Sequence, residues 1–587
     1  MKKKDCTGQS SKAAGGWGAL KSVGRQLMGS GKPLSGAKTM LKANQPDGFD
    51  CPGCAWGDPE HGSSFEFCEN GVKAVAWEAT KARVTPRFFE KYSVTELRNW
   101  TDYDLEHQGR LTDPVRYNPQ TDKYEQVDWD AAFAEIGAAL NALDHPDQAE
   151  FYTSGRASNE AAFLYQMFVR LYGTNNFPDC SNMCHEASGV ALNDSIGIGK
   201  GTVLLEDFEK ADAIFVVGQN PGTNHPRMLA DLRKATQRGA RVVVFNTLKE
   251  KGLHRFADPQ NKLEMIRGGS EATSTDYYRP RLGGDMAIFR GMAKVVLAAA
   301  QAAGKAQILD HAFIAEHCHG FDAYRALVEN TDWTQIEDQS GLSRADIEEA
   351  AQIYLSADRV ITTWAMGVTQ HKHSVQTIRE IANFMFLRGN IGRPGAGLCP
   401  VRGHSNVQGD RTVGINEKAP AALLDALERE LGVKMPRKPG HNVLHAIGAM
   451  LNGQARAFIG LGGNFARATP DSELIADALR NLDLTVNIAT KLNHGHLLPG
   501  KKSYILPCLG RTEIDRNSQG VRQIVTVEDS MSMVHGSGGI NLPASKALKS
   551  EVAIVAGIAR ATIGSAVVDW AAMADDNDKI RDLIAKV

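Results

Sequence analysis

Apolar runs and amphipathic runs take turns along most of this chain. "ADAIFVVGQN" (211–220) is an apolar strand running into a glycine turn. "HPRMLADLRKATQRG" (225–239) places Met228, Leu229, Leu232 and Ala235 at helical spacing, with Gly239 as its stop. "ARVVVFNT" (240–247) reads as the next strand. Together they make a βαβ unit, which implies a parallel sheet with a right-handed crossover. The same plan recurs 244 positions later: "ARAFIGLGGN" (455–464) as strand and turn, "SELIADALRNL" (472–482) as helix, "LTVNIAT" (484–490) as strand. Both first strands end in Gly-x-Asn, at Gly218-Gln219-Asn220 and Gly462-Gly463-Asn464. A further helix is expected over 159–172. Residues 1–46, rich in Gly, Ser and Lys without clear periodicity, are expected to form a flexible arm.

With 587 residues the chain is long enough for two to four packed units. Hydrophobic residues make up 42% and charged ones 23%, a soluble balance. A net charge of −2 gives no attraction to nucleic acid or to an anionic membrane. No secretory signal and no apolar run of about 18 residues is found, so a cytoplasmic location without a membrane span is expected. In such a reducing compartment the nine cysteines are thiols, metal ligands or catalytic groups.

Paired βαβ units ending in Gly-x-Asn suggest two nucleotide-binding halves that hold phosphate on backbone N–H groups. Neither is a G-x-G-x-x-G, and the second strand of the first unit ends in Asn246 where a nicotinamide site has an acid. One bound NAD is therefore disfavoured, and two unusual nucleotides fit. Between the units, "LRGNIGRPGAGLCPVRGHSNVQGDRTVG" (387–414) carries six glycines from Gly389 to Gly409 along with Arg388, Arg393, Arg402 and Asn406. A loop so poor in apolar residues is costly to order unless it wraps a ligand, and its Arg and Asn content suits an anion or carboxylate.

Two stretches carry metal-type chemistry. "DCPGCAWGDPEHGSSFEFCENG" (50–71) holds Cys51, Cys54 and Cys68. A redox pair, a zinc site completed by His61 and an iron–sulfur cluster are all open at this point. "DCSNMCHEASG" (179–189) sets Cys180 near the adjacent pair Cys184-His185, in a loop expected between helix 159–172 and the first βαβ unit. A zinc pair, a nucleophilic thiol with its base and an inert buried cysteine are the alternatives.

These segments together resemble the molybdopterin oxidoreductases, specifically formate dehydrogenase alpha-subunit-like proteins and their YdeP-like acid-resistance branch. The likeness rests on "CPGCAW", "GRLTDPVRYN", "SGRASNEAAFLYQ", "GTNNFPDCSNMCHEASG", "VVGQNPGTNHPRML", "GVTQH", "GNIGRPGAGLCPVRGHSNVQG" and "GLGGN", eight motifs in the family's order from about residue 48 onward. The resemblance implies an α/β fold with two Rossmann-like parallel-sheet domains related by a pseudo-repeat, with a small N-terminal iron–sulfur region. It divides the chain into an arm (1–46), a 4Fe-4S-type region (47–118), one domain from 119–182 with 405–587, and one from 183–404 that carries the metal-ligand cysteine and the substrate arginine. The family's C-terminal β-barrel has no counterpart before Val587.

The cofactor so implied is a Mo-bis(molybdopterin guanine dinucleotide), with Cys184 as metal ligand, His185 handling a proton and Arg402 orienting a substrate carboxylate. Gly218, Asn220, Asn246, Gly284, Asp285, Met366, Gln370, Gly462 and Asn464 would line the pterin and nucleotide sites. A 4Fe-4S cluster at Cys51, Cys54 and Cys68 would pass electrons to a separate acceptor. That ligand set is incomplete, because the family's fourth cysteine is absent from "HQGRLTDP". The expected reaction is two-electron oxidation of formate or a similar small substrate. His404, standing where formate dehydrogenases usually have glutamine, points to a different small substrate as the alternative. A cofactor-binding acid-stress protein without turnover is the other.

Overall fold

A computed structural model describes residues 13–302 and 308–587. Two sheets organise it. One has five parallel strands in the order Asp276–Tyr278, Arg241–Phe245, Ala213–Val217, Val360–Trp364 and Gly397–Pro400. The other has six: Lys123–Gln126, Val115–Asn118, Lys502–Pro507, Leu484–Ala489, Ala457–Leu461 and Ala149–Thr153. Its last four are mutually parallel, and the Val115–Gln126 hairpin adds an antiparallel edge. The central strands are buried on both faces, which is why "AIFVV" and "VVVF" read as unbroken apolar runs.

Both expected βαβ units are present, with helices Met228–Gln237 and Ser472–Arg480 as crossovers. Helix Asn159–Tyr172 spans its expected residues. The Ser158 hydroxyl accepts from the Ala161 amide at its start, and Gly173 (φ 116°) ends it. That helix packs with Trp129–Asn141 and Glu551–Ile563 on one face of the six-stranded sheet. Helices Glu186–Ile196, Asp285–Ala302, Arg344–Ser356 and Ser374–Phe386 cover one face of the five-stranded sheet. No helix among the described residues is long and apolar enough to cross a membrane.

Three expectations need correction. Residues 13–46 are not a loose arm: Gly16–Gly29 and Pro33–Met40 are helices, and Met40, Ala43 and Phe49 pack with Val72 and Val75. Residues 1–12 and Cys6 lie outside the described residues. Val115–Asn118 belongs to the six-stranded sheet rather than to the cysteine-bearing region, since its amides pair with Lys502–Pro507. The stretch around Cys184 is no loop, because Cys180–Cys184 is a short helix capped by Asp179 and followed directly by Glu186–Ile196.

Candidate functional site

Open α/β sheets bind ligands in the crevice where neighbouring strands lead off in opposite directions. In the five-stranded sheet that crevice lies between Ala213–Val217 and Val360–Trp364, whereas Ala149–Thr153, Ala457–Leu461, Leu484–Ala489 and Lys502–Pro507 follow one another across the other sheet in chain order. Residues just beyond the strand ends of both sheets line one cavity of about 920 Å³, Ala365 and Met366 from the first sheet and Ser154, Gly462, Gly463 and Asn464 from the second.

The two Gly-x-Asn turns are near copies. Gly218 and Gly462 have φ of 57° and 73°, a region open to glycine at little cost. Asn220 (φ −128°, ψ 74°) and Asn464 (φ −130°, ψ 76°) each precede a single helical turn, Pro221–Asn224 and Phe465–Ala468. The longer helices begin only at Met228 and Ser472, so neither asparagine stands at their start. Asn464 Oδ1 is buried without a partner at the cavity wall. Asn220 Nδ2 donates to Glu250 (2.8 Å) and Asn246 Nδ2 to the Gln219 carbonyl (2.8 Å), which fixes the first turn. Gly218 and Gly367 lie against each other, and the Gly367 amide donates to the Gly218 carbonyl at 3.1 Å.

Gly284 packs against Gln339 and Ser340, where a Cβ would come within 2.8 Å of a carbonyl oxygen, so its part is helix packing. Asp285 beside it is 5% exposed, and among the described residues no other residue donates to its carboxylate. Burial raises it to about 6. A buried acid without a donor fits a ligand that brings N–H groups. Gln370 Nε2 donates to the Met183 carbonyl and ties its turn to the Cys180–Cys184 helix.

Cys184 is 6% exposed, and its carbonyl accepts from the Thr369 hydroxyl at 2.7 Å. Burial pushes the thiol up, while the Gly403 amide and the Arg402 charge pull it down. His185 is fully buried, with Nε2 2.9 Å from the Val401 carbonyl and Nδ1 2.9 Å from the Ser188 hydroxyl. Burial, then Arg402, holds its pKa well below the ordinary value. Both ring nitrogens are therefore taken and the ring is neutral. The expected proton-handling role does not fit this placement.

Arg402 is also buried and pushed down to about 10 by desolvation. Its guanidinium donates to the Gly199 carbonyl (2.7 Å), to Gln408 (3.3 Å) and, at 3.4 Å, to the His185 carbonyl. The structure thus brings Cys184, His185 and Arg402 together, but aims the guanidinium at protein oxygens. Other polar residues of the glycine-rich loop also bond to the protein itself. Arg388 donates to the Tyr354 and Ala357 carbonyls, Arg393 to Asp358 and Asn390, and Asn406 to the Ala157 carbonyl.

Cys51, Cys54 and Cys68 line the far part of the same cavity. Two of their sulfurs, those of Cys51 and Cys68, lie within 4 Å of where a Gly71 Cβ would sit. Burial and the neighbouring thiols push Cys51 well up and Cys54 to about 12, and burial raises Cys68. Their segment is anchored from outside by Arg227 on Asp58 (2.7 Å) and Glu66 (3.0 Å), by Arg511 on Asp50 and by Trp56 on Asp231. Among the described residues no three Cys, His, Asp or Glu groups stand so as to hold a single metal ion. Three thiols also fall one short of the four a cubane cluster ordinarily takes. Sequence reasoning missed Ser154, Arg156 and Arg227 as parts of this cavity, although "SGRAS" directly follows a strand end.

The sequence model of the family described as "Molybdopterin oxidoreductase" matches residues 110–497. Protein YdeP of Escherichia coli (strain K12) is 52% identical over 578 residues, which cover 98% of this chain and 76% of YdeP. Formate dehydrogenase H of the same organism is 28% identical over 391 residues, 64% of this chain and 51% of that protein. Among solved structures, acetylene hydratase from Pelobacter acetylenicus aligns with a TM-score of 0.61 at 18% identity, over 80% of this chain and 62% of that one. At that identity the likeness shows the fold alone.

Proposed function

Because the chain belongs to the molybdopterin oxidoreductase family, we propose that its cavity holds a molybdenum ion between two molybdopterin guanine dinucleotides, with Cys184 as the protein's ligand, and oxidises a small substrate. The observation that carries this reading is one cavity lined from both sheets, by Gly462, Gly463 and Asn464 of the second Gly-x-Asn turn and by Thr223 and Asn224 of the helical turn that follows the first. The residues fit the group: Asn464 Oδ1 is a buried acceptor at the cavity wall without a donor among the described residues, and Cys184 offers a soft sulfur for molybdenum. When bound, the group supplies a metal centre that takes two electrons from the substrate.

The chain's own residues then have definite tasks. The Gly403 N–H and the Arg402 charge favour the thiolate of Cys184 against the burial that opposes it. His185 clamps the start of helix Glu186–Ile196 to the Val401 carbonyl, so that the thiol and the 401–404 turn move as one body. Arg402 keeps a cation beside the sulfur. An iron–sulfur cluster on the three N-terminal thiols rests on the resemblance alone, and no electron path is assigned to them.

Formate or a similar small anion is the substrate the resemblance favours. A different small substrate is the second reading, because the Arg402 guanidinium already serves the Gly199 and His185 carbonyls and offers no free fork to a carboxylate. The test is reduction of an artificial dye by anaerobically purified protein with formate and with other small substrates. Cys184→Ser should retain the fold and lose turnover with every one of them. Turnover that survives Cys184→Ser contradicts the assignment.

A further inference from the structure

A thiol–imidazole contact at the cavity wall has no part in the roles given above. Cys180 and Cys184 stand four residues apart on one helical turn and so share a face. Both meet the 402–404 turn. Cys184 lies at Gly403, and Cys180 Sγ is 3.2 Å from His404 Nδ1. Cys180 is 7% exposed and also takes the Gly155 amide. The absence of a side chain at Gly155 lets His404 lie close, since a Cβ there would stand 2.9 Å from the His404 Cβ. His404 lines the cavity, and its ring has no other hydrogen bond among the described residues, which leaves Nε2 free.

We propose that Cys180 is a positioning residue whose thiol donates to His404 Nδ1, so that His404 turns a neutral Nε2–H donor into the cavity. The substrate class this selects is one with an oxygen acceptor at that point, a carbonyl or carboxylate oxygen rather than a hydrocarbon or a cation. Its substrate side rests on the reading that this cavity is the substrate site. The neutral form of the pair is consistent with its surroundings. Burial pushes the thiol far up and holds His404 down to about 4, and Arg156 and His225 add to the latter. A thiolate–imidazolium pair would have to form against both effects.

The test is nitrogen NMR on the full chain labelled in its histidines, with the His404 signals identified by their loss in His404→Gln. The expected wild-type spectrum at neutral pH shows one tautomer, protonated on Nε2, with the acceptor-type signal on Nδ1. Cys180→Ala should give a mixture of tautomers, and Cys180→Ser, which keeps a donor, should restore the single one. With any oxygen-bearing substrate, Cys180→Ala should lower kcat/KM about tenfold, the loss of one hydrogen bond's worth of orientation. A wild-type His404 that is imidazolium at neutral pH, or tautomer ratios unchanged in Cys180→Ala, would overturn the proposal. The expected spectra in a protein that oxidises nothing would instead overturn the functional reading and leave the Cys180 assignment standing.

Discussion

Arg402 shows how burial decides what a charged residue is for. Its guanidinium donates to two backbone carbonyls and to Gln408 with no water to replace them. Lysine keeps the charge but cannot reach three separated acceptors at once. Arg402→Lys is expected to cost roughly 1.5–3 kcal/mol of stability, because hydrogen bonds to a charged group are lost and their acceptors stay buried. Urea unfolding measures it. A variant with unchanged stability and a raised KM for a carboxylate would restore the substrate-orienting role. The sequence made Cys184 and Arg402 visible as a pair, because cysteine beside histidine and arginine in a glycine-rich loop are rare combinations. It could not show the direction of either ring or guanidinium. The Ser188 partner of His185 sits three residues on and was within reach of helical spacing. The Val401 carbonyl, 216 residues away, was not.

Among the elements, the turns at the strand ends are where close approach matters most. Gly218 and Gly367 cross with their backbones in contact, and a Cβ on Gly367 would fall 2.7 Å from the Gly218 carbonyl oxygen. Backbone cannot step aside as a flexible side chain would. Gly367→Ala is therefore expected to destabilise by about 1–3 kcal/mol and to reduce the cofactor retained on purification. Thermal unfolding and molybdenum content check the two parts, and an unaltered melting temperature contradicts the packing argument. The strands and both βαβ units were legible because parallel strands buried on two faces leave long apolar runs. The helices of residues 13–46 were not, because their apolar partners Val72, Val75 and Ile540 come from distant parts of the chain. Short turns such as Pro221–Asn224 were missed because four residues are too few to show a period.

At the scale of the whole molecule, buried titratable groups set its response to acid in opposing directions. His496 is 1% exposed, and burial holds it down to about 3. Its folded value lies below the usual 6.5, so the unfolded chain takes up a proton that the fold refuses. The stability this neutral ring permits is complete above pH 6.5 and is lost as pH falls toward 3. Between pH 6.5 and 4 that loss is on the order of 3 kcal/mol. Buried Asp179 and Glu150, each raised to about 7, act the other way: they favour the fold in acid and lose that contribution as pH rises toward 7. His496→Gln is expected to hold more of its stability between pH 6.5 and 4 than the parent does, as read by urea unfolding across that range. Parallel acid limbs for the two proteins would contradict this.

The central claim is that two sheets, each ending in the same Gly-x-Asn turn, jointly hold one metal between two guanine dinucleotides. The most direct test is metal analysis of anaerobically purified protein, combined with counting the guanine nucleotides it releases on denaturation and hydrolysis. The account predicts molybdenum or tungsten with two guanine nucleotides for each metal ion, and loss of the metal in Cys184→Ser. Protein that carries neither metal, or a single nucleotide per metal, would contradict it.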